Sequence, residues 1–182
     1  MAFKTLTASS FGHVVHAPVG SVDLVDWLAN LTSGEYRRLC AGPHIAAGTS
    51  PGEDGGQVWI QVEIIGGTLL VHQYVGELID PRGCRMASVS DVFTAAGRTT
   101  VRVLWELGVE PLDEQSCEYV NGLTAVSTDE FLSFIDTRGI GIEAAGSAYT
   151  EALEAHNALE TASIAASIER RVLASGDLKR VQ

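Results

Sequence analysis

Three side chains on predicted strands could carry out acid–base chemistry. His72 is the best general-base candidate, because an unperturbed histidine titrates near neutral pH. The phenol hydroxyls of Tyr74 and Tyr119 could donate hydrogen bonds to a carbonyl or enolate oxygen. Such a set suits aldol-type cyclisation or dehydration, so His72, Tyr74 and Tyr119 are the predicted catalytic residues.

Period-two alternation places these residues on the inward face of a sheet. In residues 68–79, Gln73 and Glu77 share one parity and are expected to face water. Charged side chains mark the outward parity of residues 99–109 and 116–126 in the same way. The inward sets are then Leu70, His72, Tyr74, Gly76 and Leu78 on the first strand, Val101, Val103, Trp105, Leu107 and Val109 on the second, and Cys117, Tyr119, Asn121 and Leu123 on the third.

Two further predicted strands leave the inward face undecided. In residues 84–93, the inward set is either Met86, Ser88 and Ser90 or Ala87, Val89 and Asp91. In residues 57–65, the set Trp59, Gln61 and Glu63 faces either water or the pocket, and a bulge would invert the assignment.

The inferred pocket lining is mostly apolar with a few polar points, as in many small-molecule sites. The predicted ligand-binding residues are Trp105, Asn121, Leu70, Val103, Leu107, Leu123, Tyr149, Leu153 and His156. Three interpretations remain open. In the first, the aromatic residues only fill the interior, and His72 is a core residue whose polar atoms are hydrogen-bonded. In the second, the lining contacts a ligand but catalyses no reaction. In the third, His72 acts as a general acid or base.

Two glycine-containing motifs do not support a nucleophile or a cofactor. GTSPG, at 48–52, matches the nucleophile-elbow pattern, but Pro51 lacks the backbone N–H that the elbow needs, and no helix start follows. GIGIEAAG, at 139–146, lacks the spacing and the parallel strands of a dinucleotide site. We therefore predict no cofactor.

The spacing of histidines and cysteines predicts no metal site. His13 and His16 lie three residues apart on a strand and therefore point to opposite faces. Cys40, Cys84 and Cys117 are far apart and form no Cys-x-x-Cys pair, so packed free thiols are expected.

The order of predicted elements is a strand, two small helices, six strands and a long helix. Predicted strands cover 11–17, 44–49, 57–65, 68–79, 84–93, 99–109 and 116–126. One short helix is predicted after Ser21 and a second over 33–40. The long helix is predicted over 143–174, with Gly176 as its C-terminal stop. Short turns, including Gly66-Gly67, predict an antiparallel meander. The expected α+β fold is a curved seven-stranded sheet whose concave face is crossed by the long helix, enclosing a cavity.

The same pattern predicts a single domain of residues 1–182, with tails at 1–10 and 176–182. An insert at 127–142, containing FLSFIDTRGIGI, could be a short helix, a lid or an interface. On the long helix, Tyr149, Ala152, Leu153, His156, Leu159 and Ser163 form one stripe, and Ile164, Ile168 and Val172 form a second. One stripe is expected to cover the sheet, and the other could pack in the core or against a partner subunit, so a homodimer is one expectation.

The segment HAPVGSVDLVDWL, at 16–28, resembles the START-like, helix-grip (SRPBCC) superfamily, whose members often have a strand ending in Ala-Pro before a short helix. The order of elements extends the resemblance over nearly the whole chain. The superfamily includes polyketide cyclases and lipid-transfer domains, so the resemblance implies an internal pocket for an apolar or aromatic small molecule. The insert departs from the family pattern.

Composition excludes several partner classes. The chain of 182 residues has a formal net charge of −11 and a pI near 4.7, which disfavours nucleic acid and anionic membranes as partners. No apolar run is long enough to span a bilayer, and the N-terminal residues lack a signal-peptide core, so a cytoplasmic location is expected.

The predicted function is the binding of a hydrophobic or aromatic small molecule in an internal cavity, as a carrier or by sequestration. One alternative is a polyketide cyclase or aromatase-like enzyme that uses His72 with the tyrosines. Another is a protein-interaction adaptor that uses the insert and one stripe of the long helix.

Overall fold

The computed structural model describes residues 4–53 and 55–180, without the side chains of 148 and 176–180. The strands are β1 (Thr5–Val15), β2 (His44–Pro51), β3 (Gln57–Ile65), β4 (Thr68–Asp80), β5 (Gly83–Thr94), β6 (Gly97–Pro111) and β7 (Cys117–Ser127). The helices are α1 (Leu24–Ala29), α2 (Ser33–Leu39), α3 (Asp129–Asp136) and α4 (Ile142–Arg180), and a 3₁₀ turn spans Val19–Ser21.

The seven strands form one antiparallel sheet in the order β1-β7-β6-β5-β4-β3-β2. Strands β2 to β7 follow each other as a meander, and β1 adds to the outer side of β7. Gly66 and Gly67 both have positive φ in the two-residue turn between β3 and β4, as the hairpin signal predicted. The predicted α+β helix-grip architecture is confirmed.

Helix α4 packs on one face of the sheet, mainly against β1 and β7. The α4 residues Ile164, Ala165 and Ile168 are buried in the core. Helix α1 is tied to α4 by the indole N–H of Trp27, which donates to the Ser167 hydroxyl at 3.0 Å. The small helices therefore close the space between the long helix and the sheet.

Several predicted boundaries were wrong. Strand β1 begins at Thr5, so residues 5–10 belong to the sheet instead of a tail. Helix α4 continues to Arg180, so Gly176 does not stop it, and the end of the predicted tail, 181–182, lies outside the described residues. Helix α1 begins at Leu24 and is capped by the Asp23 carboxylate, which accepts from the Asp26 N–H at 2.9 Å.

In the second stripe of α4, Ile164 and Ile168 are buried in the core and Val172 is half-buried, which favours core packing for this stripe. Leu159, which was assigned to the first stripe, is 66% exposed. In the 127–142 segment, the short-helix interpretation is confirmed by α3. No helix among residues 4–53 and 55–180 combines the length and apolar character needed to cross a bilayer.

Helix α4 approaches β1 closely at Gly146. A Cβ atom placed there would lie 2.7 Å from the backbone carbonyl oxygen of Leu6. Ala at an open helical position usually stabilises, but here it must push the helix away from the strand. Gly146→Ala is expected to lower the free energy of unfolding by about 1–3 kcal/mol.

Gly34→Ala is the matched control for this prediction, because its Cβ would meet only the flexible Arg38 side chain at 3.6 Å. That substitution is expected to raise the free energy of unfolding by up to about 1 kcal/mol. Chemical denaturation of both variants measures the difference. A stabilising Gly146→Ala would contradict the close packing of α4 on β1.

Candidate functional site

Alternation predicted the inward faces of three strands with one exception. Leu70, His72 and Tyr74 on β4 are buried, as are the predicted inward residues of β6 and β7. Leu78 is 57% exposed, because the register of β4 with β5 shifts between Gly76 and Leu78. The irregularity changes the parity, so Leu78 is not an inward residue.

The structure resolves the two undecided strands. Met86, Ser88 and Ser90 are the buried set on β5. On β3, Gln61 and Glu63 are buried and point to the same side as His72. Strand β3 therefore contributes the Glu63 carboxylate to the interior. The sequence alone had not decided whether this side chain faces the pocket or water.

A small, mostly apolar cavity of about 50 Å³ lies between the sheet and the first turns of α4. The predicted residues that line it are Leu70, His72, Tyr74, Val103, Leu123, Tyr149 and Leu153. The lining also includes Glu63 from β3, Leu6 from β1 and Phe131 from α3. The cavity is smaller than the pockets of about 300–1,000 Å³ that hold typical ligands.

Five predicted site residues lie outside this lining. The Trp105 indole N–H donates to the Asn121 side-chain oxygen at 2.7 Å, and both residues are core residues beside the cavity. Leu107 is buried in the core, and His156 belongs to a polar cluster below the cavity. The Tyr119 hydroxyl is buried with no hydrogen-bond partner among the described residues, and Tyr119 is not among the residues that line the cavity.

One wall of the cavity carries a hydrogen-bonded chain of polar side chains. Nε2 of His72 lies 2.8 Å from Oε1 of Glu63, and Nδ1 of His72 lies 2.8 Å from the Ser90 hydroxyl. The Ser90 hydroxyl donates to the Ser88 hydroxyl at 2.9 Å. Both His72 ring nitrogens are therefore fixed, and the imidazole stacks on Tyr74 with ring centroids 5.1 Å apart.

The β3–β4 hairpin brings Glu63 and His72 together. Its two-residue turn pairs Ile65 with Thr68, and this register places Gln61 opposite His72 and Glu63 opposite Leu70. Glu63 and His72 are thus diagonal neighbours on one face, a separation that long side chains can bridge.

Below the cavity, Glu63 joins a buried polar cluster that also contains Tyr36, His44, His72, His156 and Glu160. Oε2 of Glu63 lies 3.2 Å from Nε2 of His156 and accepts from the Tyr36 hydroxyl at 3.2 Å. His44 stacks on Tyr36, with ring centroids 3.9 Å apart, and Nδ1 of His44 donates to the Tyr36 carbonyl at 2.8 Å. His156 and Glu160, one turn apart on α4, face the same space.

Burial and charge shift the pKa values in this cluster in opposite directions. Burial raises the pKa of Glu63, but hydrogen bonds from His156 and His72 outweigh it, so the net pKa lies well below the ordinary value. Burial and the Glu63 carboxylate raise the pKa of Glu160 to about 7. Glu63 is therefore the group that holds the negative charge.

The histidines and tyrosines of the cluster respond to the same carboxylates. Burial lowers the pKa of His44. Burial also acts to lower the pKa of His156, but the hydrogen bond to Glu63 and the charge of Glu160 raise it overall. Burial and the charge of Glu63 raise the pKa values of Tyr36 and Tyr74 well above the ordinary value, so both phenols remain hydrogen-bond donors.

Two histidines of the cluster and the neighbouring Cys40 carry atoms suited to binding a metal ion. Cys40, His44 and His156 each offer a ligand atom, and these atoms lie within 4.8 Å of one another. Nε2 of His44 lies 3.3 Å from Nε2 of His156.

Sequence reasoning identified His72 and His156 but missed Tyr36, His44 and Glu160 as site residues. Glu63 was considered, but its direction was undecided. One signal was available: strand parity from the Gly66-Gly67 hairpin puts Glu63 and His72 on the same face. The other members come from α2, β2 and α4, and no local spacing connects them.

Comparison with known proteins gives structural matches only. No family model and no curated protein matches the chain. The ZhuI aromatase/cyclase from a Streptomyces species superposes with a TM-score of 0.67 at 16% identity, covering 96% of this chain and 99% of that one.

Two further solved structures are similar over most of their length. A norcoclaurine synthase point mutant from Thalictrum flavum, in complex with a transition-state analogue, gives a TM-score of 0.54 at 14% identity, covering 97% of this chain and 99% of that one. A protein from Thermus thermophilus gives 0.52 at 15% identity, covering 92% and 98%. The chain therefore has the helix-grip fold that the resemblance predicted.

Proposed function

We propose that the protein binds a small, mainly apolar molecule in the cavity between the sheet and α4, with a polar group of that molecule facing Glu63 and His72. The observation that carries the proposal is the composition of the lining. Apolar side chains from the sheet, α3 and α4 surround the space, and a hydrogen-bonded carboxylate–imidazole pair forms one end. This arrangement orients a ligand with one polar end.

The structural neighbours support a pocket of this kind without identifying its ligand. An aromatase/cyclase and a norcoclaurine synthase share the fold, and the second was solved with a transition-state analogue. Function depends on the site more than on the fold, so the polar wall of this chain is the stronger argument.

The cavity must expand to admit a ring-sized molecule. A volume of about 50 Å³ holds a few water-sized groups, whereas an apolar cavity that binds benzene has about 150 Å³. Leu6, Tyr149 and Leu153 are only partly buried, so the cavity lies nearest the surface between β1 and the start of α4. Displacement of these side chains is the simplest way to open it.

A panel of aromatic ketones, phenols and fatty acids tests the proposal. Tyr74 lines the cavity, and its ring lies 5.4 Å from the Trp105 ring, so Trp105 fluorescence is expected to change saturably when a ligand binds. Thermal unfolding is expected to shift upward with ligand concentration, because a ligand that binds only the folded state stabilises it. If no compound changes either signal in folded protein, the proposal is wrong.

Enlarging the cavity is expected to strengthen binding. Leu153→Ala removes a side chain from the partly buried wall while leaving Glu63 and His72 unchanged. We expect aromatic ketones to bind about tenfold tighter, because less rearrangement is needed, and a loss of stability of about 2 kcal/mol. Titration calorimetry measures the affinity. Leu159→Ala, at an exposed position on the same helix, is the control that leaves affinity unchanged.

A second candidate function is proton transfer to or from the bound molecule. It is favoured by the fixed chain Glu63–His72–Ser90, since a ligand that only needs an apolar site has no use for a buried carboxylate–imidazole pair. His72 and Tyr74 keep their predicted roles in this candidate function, Glu63 joins them, and Tyr119 does not.

Exchange of the α-protons of bound tetralone into deuterated water, followed by NMR, tests the second function. His72→Gln is expected to slow catalysed exchange by about 100-fold or more, with tetralone affinity near wild type. His16→Gln, at an exposed histidine, is the control. Tetralone that binds without accelerated exchange would leave ligand binding as the function and exclude this proton-transfer step for ketones.

A further inference from the structure

We infer that His44, His156 and Glu63 form a buried site for one divalent transition-metal ion of the zinc type, with Glu160 as the fourth ligand. This inference goes beyond the proposed function, because it needs no molecule in the cavity. It also departs from the sequence expectation of no metal site, which considered only local spacing.

The distances between the ligand atoms suit a tetrahedral ion. Nε2 of His44 lies 3.3 Å from Nε2 of His156, and Oε2 of Glu63 lies 3.6 Å and 3.2 Å from these two nitrogens. An ion bonded at about 2.0–2.1 Å to each ligand would separate tetrahedral ligands by about 3.3–3.4 Å. The three atoms are therefore already spaced as one ion requires.

Glu160 supplies a carboxylate close to the remaining position. Its Oε1 lies 3.7 Å from Nε2 of His44, and its Oε2 lies 3.8 Å from Nε2 of His156. Each oxygen is within a few tenths of an ångström of the tetrahedral separation from one of the two imidazoles, so the Glu160 side chain must rotate to bring one oxygen to the ion. Four protein ligands would make a closed site, as in structural zinc centres.

The hydrogen bonds around His44 and Glu63 hold these two ligands in the form that binds metal, whereas His156 must release the Nε2 proton that it donates to Glu63 when the ion binds. Nδ1 of His44 donates to the Tyr36 carbonyl, so its Nε2 carries the lone pair. Nδ1 of His156 lies 3.7 Å from the Cys40 sulfur, on the opposite side of the ring from Nε2. Oε1 of Glu63 is held by His72, which leaves Oε2 for the ion. Cys40 and His72 are therefore positioning residues.

Charge balance also favours a divalent cation. Glu63 and Glu160 are both buried, and a second buried carboxylate beside the first is costly without a compensating charge. Two carboxylates, two neutral imidazoles and one divalent ion sum to zero charge. The same four groups without an ion must instead share protons.

Zinc titration of the full chain after chelator treatment and dialysis tests the inference. Calorimetry and elemental analysis are expected to show one Zn²⁺ per chain. His44→Asn and His156→Asn are expected to weaken binding more than about 100-fold, since loss of even an outer partner costs about 10–100-fold. His13→Asn changes an exposed histidine and is expected to bind Zn²⁺ like the wild type. Circular dichroism confirms that each variant is folded.

The spectrum of the Co²⁺-substituted wild-type protein gives a test that does not depend on any variant. Intense visible d–d bands are expected for a tetrahedral ion, without a near-ultraviolet thiolate charge-transfer band, because Cys40 is not a ligand. Failure of the folded wild type to bind Zn²⁺ or Co²⁺ would overturn the inference. A thiolate band would overturn the assigned ligand set, and equal binding by the His44 and His13 variants would place the ion elsewhere.

Discussion

Replacing Glu63 with alanine is expected to lower the free energy of unfolding by about 3–5 kcal/mol, because a buried charge network loses its central acceptor. His72, His156 and Tyr36 all direct a polar atom at this one carboxylate, which is 8% exposed. Without it, the three side chains are left buried and incompletely paired. Urea denaturation at neutral pH in the presence of a chelator measures the loss.

Glu106→Ala is the matched control on the same sheet. Glu106 pairs with Arg85 at 2.7 Å, but both side chains are about half exposed, at 48% and 50%. An exposed ion pair contributes about 0–1 kcal/mol, so this variant is expected to stay within that range. If Glu63→Ala costs no more than Glu106→Ala, Glu63 does not organise the cluster.

Filling the cavity from the sheet side is expected to abolish ligand binding. Ala125 lines the cavity from β7, opposite Val103 on β6. A phenylalanine at this position occupies the space that a ligand needs. We expect Ala125→Phe to weaken binding of any compound from the panel by more than about 100-fold, since the ligand loses its apolar contacts.

Ala87→Phe adds the same ring to the other face of the sheet, on β5 opposite Leu104. It is expected to leave affinity within about twofold of wild type, because the cavity lies on the opposite side. Titration calorimetry with one aromatic ketone compares the three proteins. Equal affinity of Ala125→Phe and wild type would show that binding takes place outside the cavity.

The fold could be predicted because its signals are local. Turn residues such as Gly66-Gly67 separate the strands, and alternation of charged and apolar residues gives the inward faces of β6 and β7. Errors occurred where local signals were weak. The register shift between Gly76 and Leu78 begins at a strand glycine, a bulge signal that the parity assignment did not use, and the polar start of β1 does not read as a strand.

The candidate site could be predicted only in part. His72 and Tyr74 followed from the parity of one strand, but their partner Glu63 lies on a strand whose apolar residues fall on both faces. His44 and His156 are 112 residues apart and meet only because the fold brings this part of α4 within hydrogen-bond distance of the start of β2. Pairing across such a distance is set by tertiary packing, which no motif spacing reports.

The most direct test of the account is a crystal structure of the protein with the tightest-binding aromatic ketone from the panel. We expect its ring between Leu70, Val103 and Leu153, with its carbonyl oxygen within hydrogen-bond distance of the Tyr74 hydroxyl, beside the Glu63–His72 pair. A ring bound on the outer face of the sheet, or a carbonyl oxygen directed away from Glu63 and His72, would contradict the account.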